Sequence, residues 1–328
     1  MRHESPAAIL TERVEGKQSW VRDTLAEQDW KFALDADCTR ELLAVVEDLR
    51  SNALPLLLLT PDLFELDACR ALAARVRSAL VEGVSFALID RLPLDAISLD
   101  EAKVLYWLFS ALIARPVAQK LDGTMVYDVR DTGMQALPGS GIRPDKTNVD
   151  LTFHNDNAYN KTMPEIVGLC CLRQAKSGGL SRMISFQTAH NRLVDDYPQL
   201  LPRFYQPFPF DRQKEHFPGE DPIFRAPMFE YDGRLRARLA PYQVKNAYAM
   251  LGEPLDAATE RAIDALDEIF SREELVAEHY MVPGQIQYVN NREIGHSRTA
   301  FVDHEDASQR RYLVRLWLRN QGRRGYRG

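Results

Sequence analysis

Cysteine is scarce in this chain of 328 residues: there are four, at positions 38, 69, 170 and 171, and none are spaced as a CxxC pair. That spacing argues against a thiolate zinc site. Adjacent cysteines such as Cys170 and Cys171 rarely bridge each other, which argues against a disulfide framework. All four read as buried thiols. Long apolar runs are missing too; the longest, 54–59, contains Pro55 and falls far short of the roughly 20 residues a membrane-spanning helix needs. Positive charge is not in excess either, since 41 Lys and Arg stand against 47 Asp and Glu and leave a formal charge of −6. No basic cluster offsets that balance, so a nucleic-acid surface is excluded and a small-molecule partner is expected. The opening MRHESPAAILTERVEGKQSW lacks the basic end and apolar stretch of a secretory signal, so a cytoplasmic protein is expected. Glycine (17) and proline (18) are too few for a collagen-like or low-complexity chain.

What is present changes texture along the chain. The first 81 residues read as a helical section packed on a core. Thr39 is placed to cap RELLAVVEDLRSNAL and Asp67 to cap ACRALAARVRSALVEG, which Gly83 stops. VSFALID then reads as a strand and ISLDEAKVLYWLFSALIA as one more amphipathic helix. From there to the C-terminus short strands dominate, among them TMVYDVR, DLTFHND, EIVGLCCLRQA, GLSRMISF, MFEYDG, LRARLA, AEHYMV, QIQYVNN and RRYLVRLWLR. Many short strands imply a sandwich or barrel over 82–328. Two sections break the pattern, near 131–148 and 203–227, and read as long lid-like insertions. A last helix is expected from Ala257 to Phe270.

The chemistry starts at Phe153-His154-Asn155-Asp156. Residues i and i+2 of a strand share a face, so His154 and Asp156 can hold one ligand between them. Imidazole with carboxylate suits a divalent first-row metal, and one further histidine completes a two-histidine, one-carboxylate triad. His296 is the best third member, because a strand, an Asn-Asn turn and a second strand bring it back across a barrel. An HxD alone is a common chance pattern. The remaining histidines, at 3, 190, 216, 279 and 304, read as surface or packing residues. In RRYLVRLWLR, alternation puts Arg311, Leu313, Arg315 and Trp317 on one face and Tyr312, Val314, Leu316 and Leu318 on the other. An arginine facing into a barrel calls for a carboxylate. Taken alone, this strand also fits an exposed basic edge.

In this order and spacing, the elements resemble the TauD/TfdA-like (clavaminate synthase-like) superfamily of Fe(II)/2-oxoglutarate-dependent dioxygenases. The resemblance spans roughly 82–320 and includes TNVDLTFHNDNAY, VGLCCLRQAKSGGLSRMIS, PGQIQYVNNREIGHSRTAF and RRYLVRLWLR. It implies a mainly β fold with flanking helices around a double-stranded β-helix (jelly-roll, cupin-like) core. It also implies that His154, Asp156 and His296 hold Fe(II), and that Arg311 pairs with the distal carboxylate of the cosubstrate 2-oxoglutarate. Ser181 then supports that carboxylate, and Arg315 reaches cosubstrate or substrate. Three protein ligands leave three positions of an octahedral ion for 2-oxoglutarate and O2. With Arg311 included, the charges of such a site cancel. The expected reaction is hydroxylation of an unactivated C–H bond in an amino-acid-derived or other secondary metabolite, with release of succinate and CO2. The carboxylate at 156 argues against halogenation, which needs that position vacated. Tyr127, Asn148, Asp150, Asn157, Tyr159, Arg298 and Arg315 are the candidate substrate wall. Rival readings are a taurine- or aryloxyalkanoate-like catabolic dioxygenase, a cupin-like enzyme working without 2-oxoglutarate, and a non-catalytic jelly-roll binding protein.

Overall fold

The computed structural model describes residues 8–135 and 144–327. Two mainly antiparallel sheets form the centre. The major sheet runs in the order Lys31–Ala33, Phe86–Asp90, Ile286–Asn290, Ile166–Arg173, Tyr312–Leu318, Pro116–Val117, and Tyr127–Val129 also pairs with Tyr312–Leu318. Its one parallel pairing joins Lys31–Ala33 to Phe86–Asp90. The minor sheet is Val276–His279, Ser181–Ser185, Ile294–Arg298, Leu151–His154. This is the jelly-roll arrangement, two facing sheets with flanking helices.

Period-two alternation decides what each sheet presents. On the major sheet Ala87, Ile89, Cys170, Leu172, Ile286, Tyr288, Val314 and Leu316 point outward and join one cluster with the apolar faces of three helices. Those helices are Ala36–Ser51, Asp67–Val81 and Leu99–Ile113. Each starts for a local reason. Asp35 accepts the Cys38 N–H at 2.8 Å, so the first helix begins before Thr39, the expected cap. The second has no cap from its own preceding residue, Leu66. Glu41 of the neighbouring helix instead accepts the Ala68 and Cys69 N–H groups at 2.8 and 2.9 Å. Ser98 and Glu101 form a reciprocal capping box on the third. Gly168 lets that helix approach the sheet: a Cβ there would lie 2.5 Å from the Tyr106 hydroxyl and 2.8 Å from the Tyr288 ring.

The outer face of the minor sheet is covered by Phe186–Asp196 and Ala257–Ser271, whose Leu193, Ile263, Leu266 and Ile269 pack with Phe153, Ile184 and Val276. Between the sheets, Phe86, Val167, Val289 and Trp317 meet Met183, Ala277 and Ile294 and close one end. The other end opens into a cavity of about 250 Å³.

Several sequence expectations need correction. The 203–227 section is not loop throughout: Pro207–Asp211 and Ile223–Pro227 pair as antiparallel strands on either side of a 212–222 loop. Asp156 lies past the end of the Leu151–His154 strand, in the following turn. Helices Phe186–Asp196 and Pro241–Leu251 were not anticipated, nor was the Lys31–Ala33 strand inside the helical front section. Part of 131–148, namely 136–143, lies outside the described residues.

Candidate active site

The register of the minor sheet builds the first half of the site. His296 stands opposite His154, and Arg298 stands opposite both Ser181 and Leu151. His154 donates its Nδ1–H to the Thr152 carbonyl at 2.8 Å, since a carbonyl only accepts, which leaves the Nε2 lone pair free. Asp156 is held by its backbone, giving its N–H to Asn291 Oδ1 at 2.8 Å and receiving Asn291 Nδ2 on its carbonyl at 2.9 Å. Its Oδ1 then lies 3.6 Å from His154 Nε2 and 3.4 Å from His296 Nε2.

One ligand atom from each of His154, Asp156 and His296 lies within 4.8 Å of the others. Two atoms each about 2.1 Å from one ion are separated by about 3.0 Å at an octahedral angle and about 3.4 Å at a tetrahedral one, so the Asp156–His154 and Asp156–His296 spacings are close to those of ligands on one ion. Protonation states suit it as well. Burial alone would raise the Asp156 carboxyl. The Arg315 guanidinium, with the His154 and His296 imidazoles close by, outweighs burial and holds it well below the usual carboxylate range. Burial and the neighbouring His154 push the His296 imidazole down, towards the neutral form a metal requires.

The major sheet supplies the second half. Arg311 just precedes its strand, anchored by its N–H on Asp303 Oδ1 at 2.7 Å, and its guanidinium lies over the Phe301 ring at 5.0 Å. Among the described residues it makes no ion pair, and Nη1 is buried with no hydrogen-bond partner. Burial and repulsion from Arg298 lower it to about 10. Ser181 lines the same cavity and donates to Gln287 Oε1 at 2.7 Å.

Arg315 is committed differently. Its Nη1 lies 2.9 Å from Asp145 Oδ2 and 3.1 Å from Asp156 Oδ2, and Nε donates to Gln119 Oε1 at 2.9 Å. Tyr127 lies under that guanidinium at 4.6 Å, its hydroxyl 3.4 Å from Asp145 Oδ1. Arg298 lines the cavity and donates to the Thr147 and Val149 carbonyls, tying down the chain before the His154 strand. Asp150, Asn157 and Tyr159 also line the cavity. The Asn157 side chain, however, is spent on the Thr162 carbonyl, Asn160 and Tyr326. Asn148 is exposed and lies outside the lining. The other described histidines stand apart: His190 packs on Phe229, His279 on Trp30, and His216 and His304 lie in loops.

Sequence reading missed Asp145, Gln213, Gln243 and Gln287, all of which line the cavity. Alternation in QIQYVNN marks Gln287 as inward-facing. Nothing local marks the other three, which tertiary packing brings in.

A jelly roll whose cavity holds two histidines and a carboxylate beside a buried arginine with no ion pair among the described residues defines the class of mononuclear non-haem iron oxygenases. Residues 58–317 match the family model for the Taurine catabolism dioxygenase TauD, TfdA family, and the chain belongs to that family. It is thus a 2-oxoglutarate-dependent dioxygenase that uses Fe(II) and O2. It is 30% identical to FR-33289 synthase of Streptomyces rubellomurinus, over 94% of this chain and 91% of that protein. To the L-asparagine oxygenase of Streptomyces coelicolor it is 32% identical over 212 residues, 62% of this chain and 56% of that protein. The fold matches a crystal structure of asparagine oxygenase with Fe(II), 2S,3S-3-hydroxyasparagine and succinate at TM-score 0.65 and 20% identity, covering 88% of this chain and 93% of that one. It also matches the oxygenase OrfP with Fe and alpha-ketoglutaric acid, at TM-score 0.63 and 16% identity, covering 89% and 94%. Among the described residues no helix is long and apolar enough to cross a membrane.

Proposed function

We propose that this protein hydroxylates an unactivated C–H bond of an amino-acid-derived small molecule, with His154, Asp156 and His296 holding Fe(II). The observation that carries the reading is the convergence of those three donors in a cavity that also exposes Arg311, a buried cation with no ion-pair partner among the described residues. When bound, the metal with 2-oxoglutarate and O2 supplies the oxidant, and 2-oxoglutarate leaves as succinate and CO2. The chain's own groups do the rest. Arg311 receives the distal carboxylate of 2-oxoglutarate as a bidentate partner, and the Ser181 hydroxyl supports the same end by turning its one hydrogen from Gln287 Oε1 to the carboxylate. Arg315 orients Asp156 and, with Asp145, forms the polar part of the substrate wall, while Tyr127 lies outside the cavity lining and backs the guanidinium. Arg298 shapes that wall through the 147–149 backbone. The amino-acid-derived class is supported by the relatives, one an L-asparagine oxygenase and one a structure of OrfP with (3S)-hydroxy-L-Arg. A cytoplasmic setting belongs to the same proposal, supported by four free, buried cysteines.

The test adds Fe(II) and 2-oxoglutarate without air, records the visible charge-transfer band of the chelate, and then screens L-asparagine, L-arginine, other amino acids and taurine for band shifts and for succinate release in air. A band that His154→Ala abolishes, and that an amino-acid compound shifts, is the expected result. Bound metal with no band overturns the 2-oxoglutarate assignment, and turnover of taurine alone overturns the substrate class.

A further inference from the structure

Asp156 has two carboxylate oxygens, and the three-residue cluster uses only one. Oδ1 faces the two imidazoles, whereas Oδ2 accepts the indole N–H of Trp317 at 2.6 Å and lies 3.1 Å from Arg315 Nη1. Arg315 Nη1 also faces Asp145 Oδ2 at 2.9 Å, so Oδ2 of Asp156 is held from two sides, by a guanidinium shared with a second carboxylate and by the indole. Trp317 is itself held firmly. It is an inward residue of the Tyr312–Leu318 strand, 2% exposed, and stacks on Tyr326 with ring centroids 6.1 Å apart and planes at 21°. The Tyr326 hydroxyl donates to Asn157 Oδ1 at 2.8 Å and accepts from Asn160 Nδ2 at 2.7 Å. Asn157 directly follows Asp156 and has a left-handed backbone, φ 57°. The turn carrying the carboxylate is thus gripped at its backbone by Asn291 and at its far oxygen by Trp317.

We propose that Trp317 is a positioning residue that confines Asp156 to one-oxygen ligation, with Tyr326 as its brace. The inference rests on the assignment of His154, Asp156 and His296 as the metal site. Its chemical point is the number of open positions. Three single-atom ligands leave three positions on an octahedral ion; 2-oxoglutarate needs two of them and O2 the third. A carboxylate gripping through both oxygens would take one of those away. An indole suits the task because it only donates, carries no charge and cannot itself bind the metal.

Co(II) titrated into the metal-free protein, read by its d–d absorption and followed by 2-oxoglutarate, tests this in wild type, Trp317→Phe, Tyr326→Phe and Asp156→Asn. Loss of a hydrogen bond to a ligating group typically weakens metal binding by about 10–100-fold, and that loss is expected for Trp317→Phe, with an altered d–d spectrum and weaker 2-oxoglutarate binding. Tyr326→Phe keeps the stack and is expected to weaken binding in the same direction by less. A folded Trp317→Phe with wild-type Co(II) affinity, spectrum and 2-oxoglutarate affinity overturns the proposal. If that variant does not fold, Tyr326→Phe decides: weaker binding supports the proposal and unchanged binding overturns it. Failure of the metal site itself looks different, as no Co(II) bound by wild type or equal binding by Asp156→Asn.

Discussion

Replacing Arg311 by methionine is expected to stabilise the protein in the absence of 2-oxoglutarate and to destroy its affinity for that cosubstrate. The guanidinium is buried without an ion-pair partner among the described residues, and burial together with Arg298 lowers it from the usual arginine range to about 10. At about 1.4 kcal/mol per pH unit, that depression opposes folding by about 3 kcal/mol at neutral pH. The sign follows from the charged form being the one disfavoured. Below pH 10 the side chain is charged in both folded and unfolded chains and the whole penalty applies; above it the folded protein releases the proton and the penalty shrinks. Methionine fills similar volume without charge but forfeits the contact with the Phe301 ring, worth about 1 kcal/mol, so a net gain of about 2 kcal/mol is expected. The opposite holds for binding. Leaving the distal carboxylate of 2-oxoglutarate unpaired costs about 2–5 kcal/mol, a loss of affinity from about thirty-fold to several thousand-fold. Urea unfolding of the metal-free protein at pH 7 reads the first effect, and titration of the charge-transfer band reads the second. A variant clearly less stable than wild type, or one binding 2-oxoglutarate within about fivefold of it, would refute the reasoning.

The His279 imidazole is lowered to about 4, first by burial and then by Lys31, so between pH 6.5 and 4 the unfolded chain takes up a proton that the folded chain refuses. Stability should be complete above pH 6.5 and fall by up to about 3 kcal/mol towards pH 4, and His279→Phe should flatten that fall in urea midpoints measured at pH 7 and 4.5. Equal acid sensitivity in the variant would count against it. Gln243 is 8% exposed and lines the cavity, and its side chain makes no hydrogen bond to the described residues. Gln243→Leu should therefore leave stability within about 1 kcal/mol of wild type while lowering kcat/KM about tenfold for whichever amino-acid probe turns over. Unchanged turnover, or weakened 2-oxoglutarate binding, would speak against a place in the substrate wall.

Where local periodicity carries the information, the sequence was a sound guide. The alternation in RRYLVRLWLR places Leu313, Arg315 and Trp317 inside and Val314 and Leu316 against the helices, as found. His154, Asp156 and His296 converge although the reason offered for His154 and Asp156, a shared strand, is not the one the fold uses. Several of the failures depend on a partner distant in sequence. The Asp67–Val81 helix is capped by Glu41 of another helix, which no local cap rule can find. Pro207–Asp211 is rich in proline and aromatics and becomes a strand only through Ile223–Pro227. Asp145 acquires its meaning from Arg315, far along the chain.

Among the described residues the Leu151–His154 strand has a neighbouring strand on one side only, Ile294–Arg298. His154 is therefore the last residue of the sheet's free border, and its opposite number across the border pair is His296. An ion held between them would rivet the outermost strand to the next, and Asp156 would extend the rivet into the turn beyond. Loading of the site should then be written into the backbone: amide hydrogens of 151–154 exchange readily in the empty protein and slowly in the loaded one, so the margin of the sheet reports whether the centre is filled.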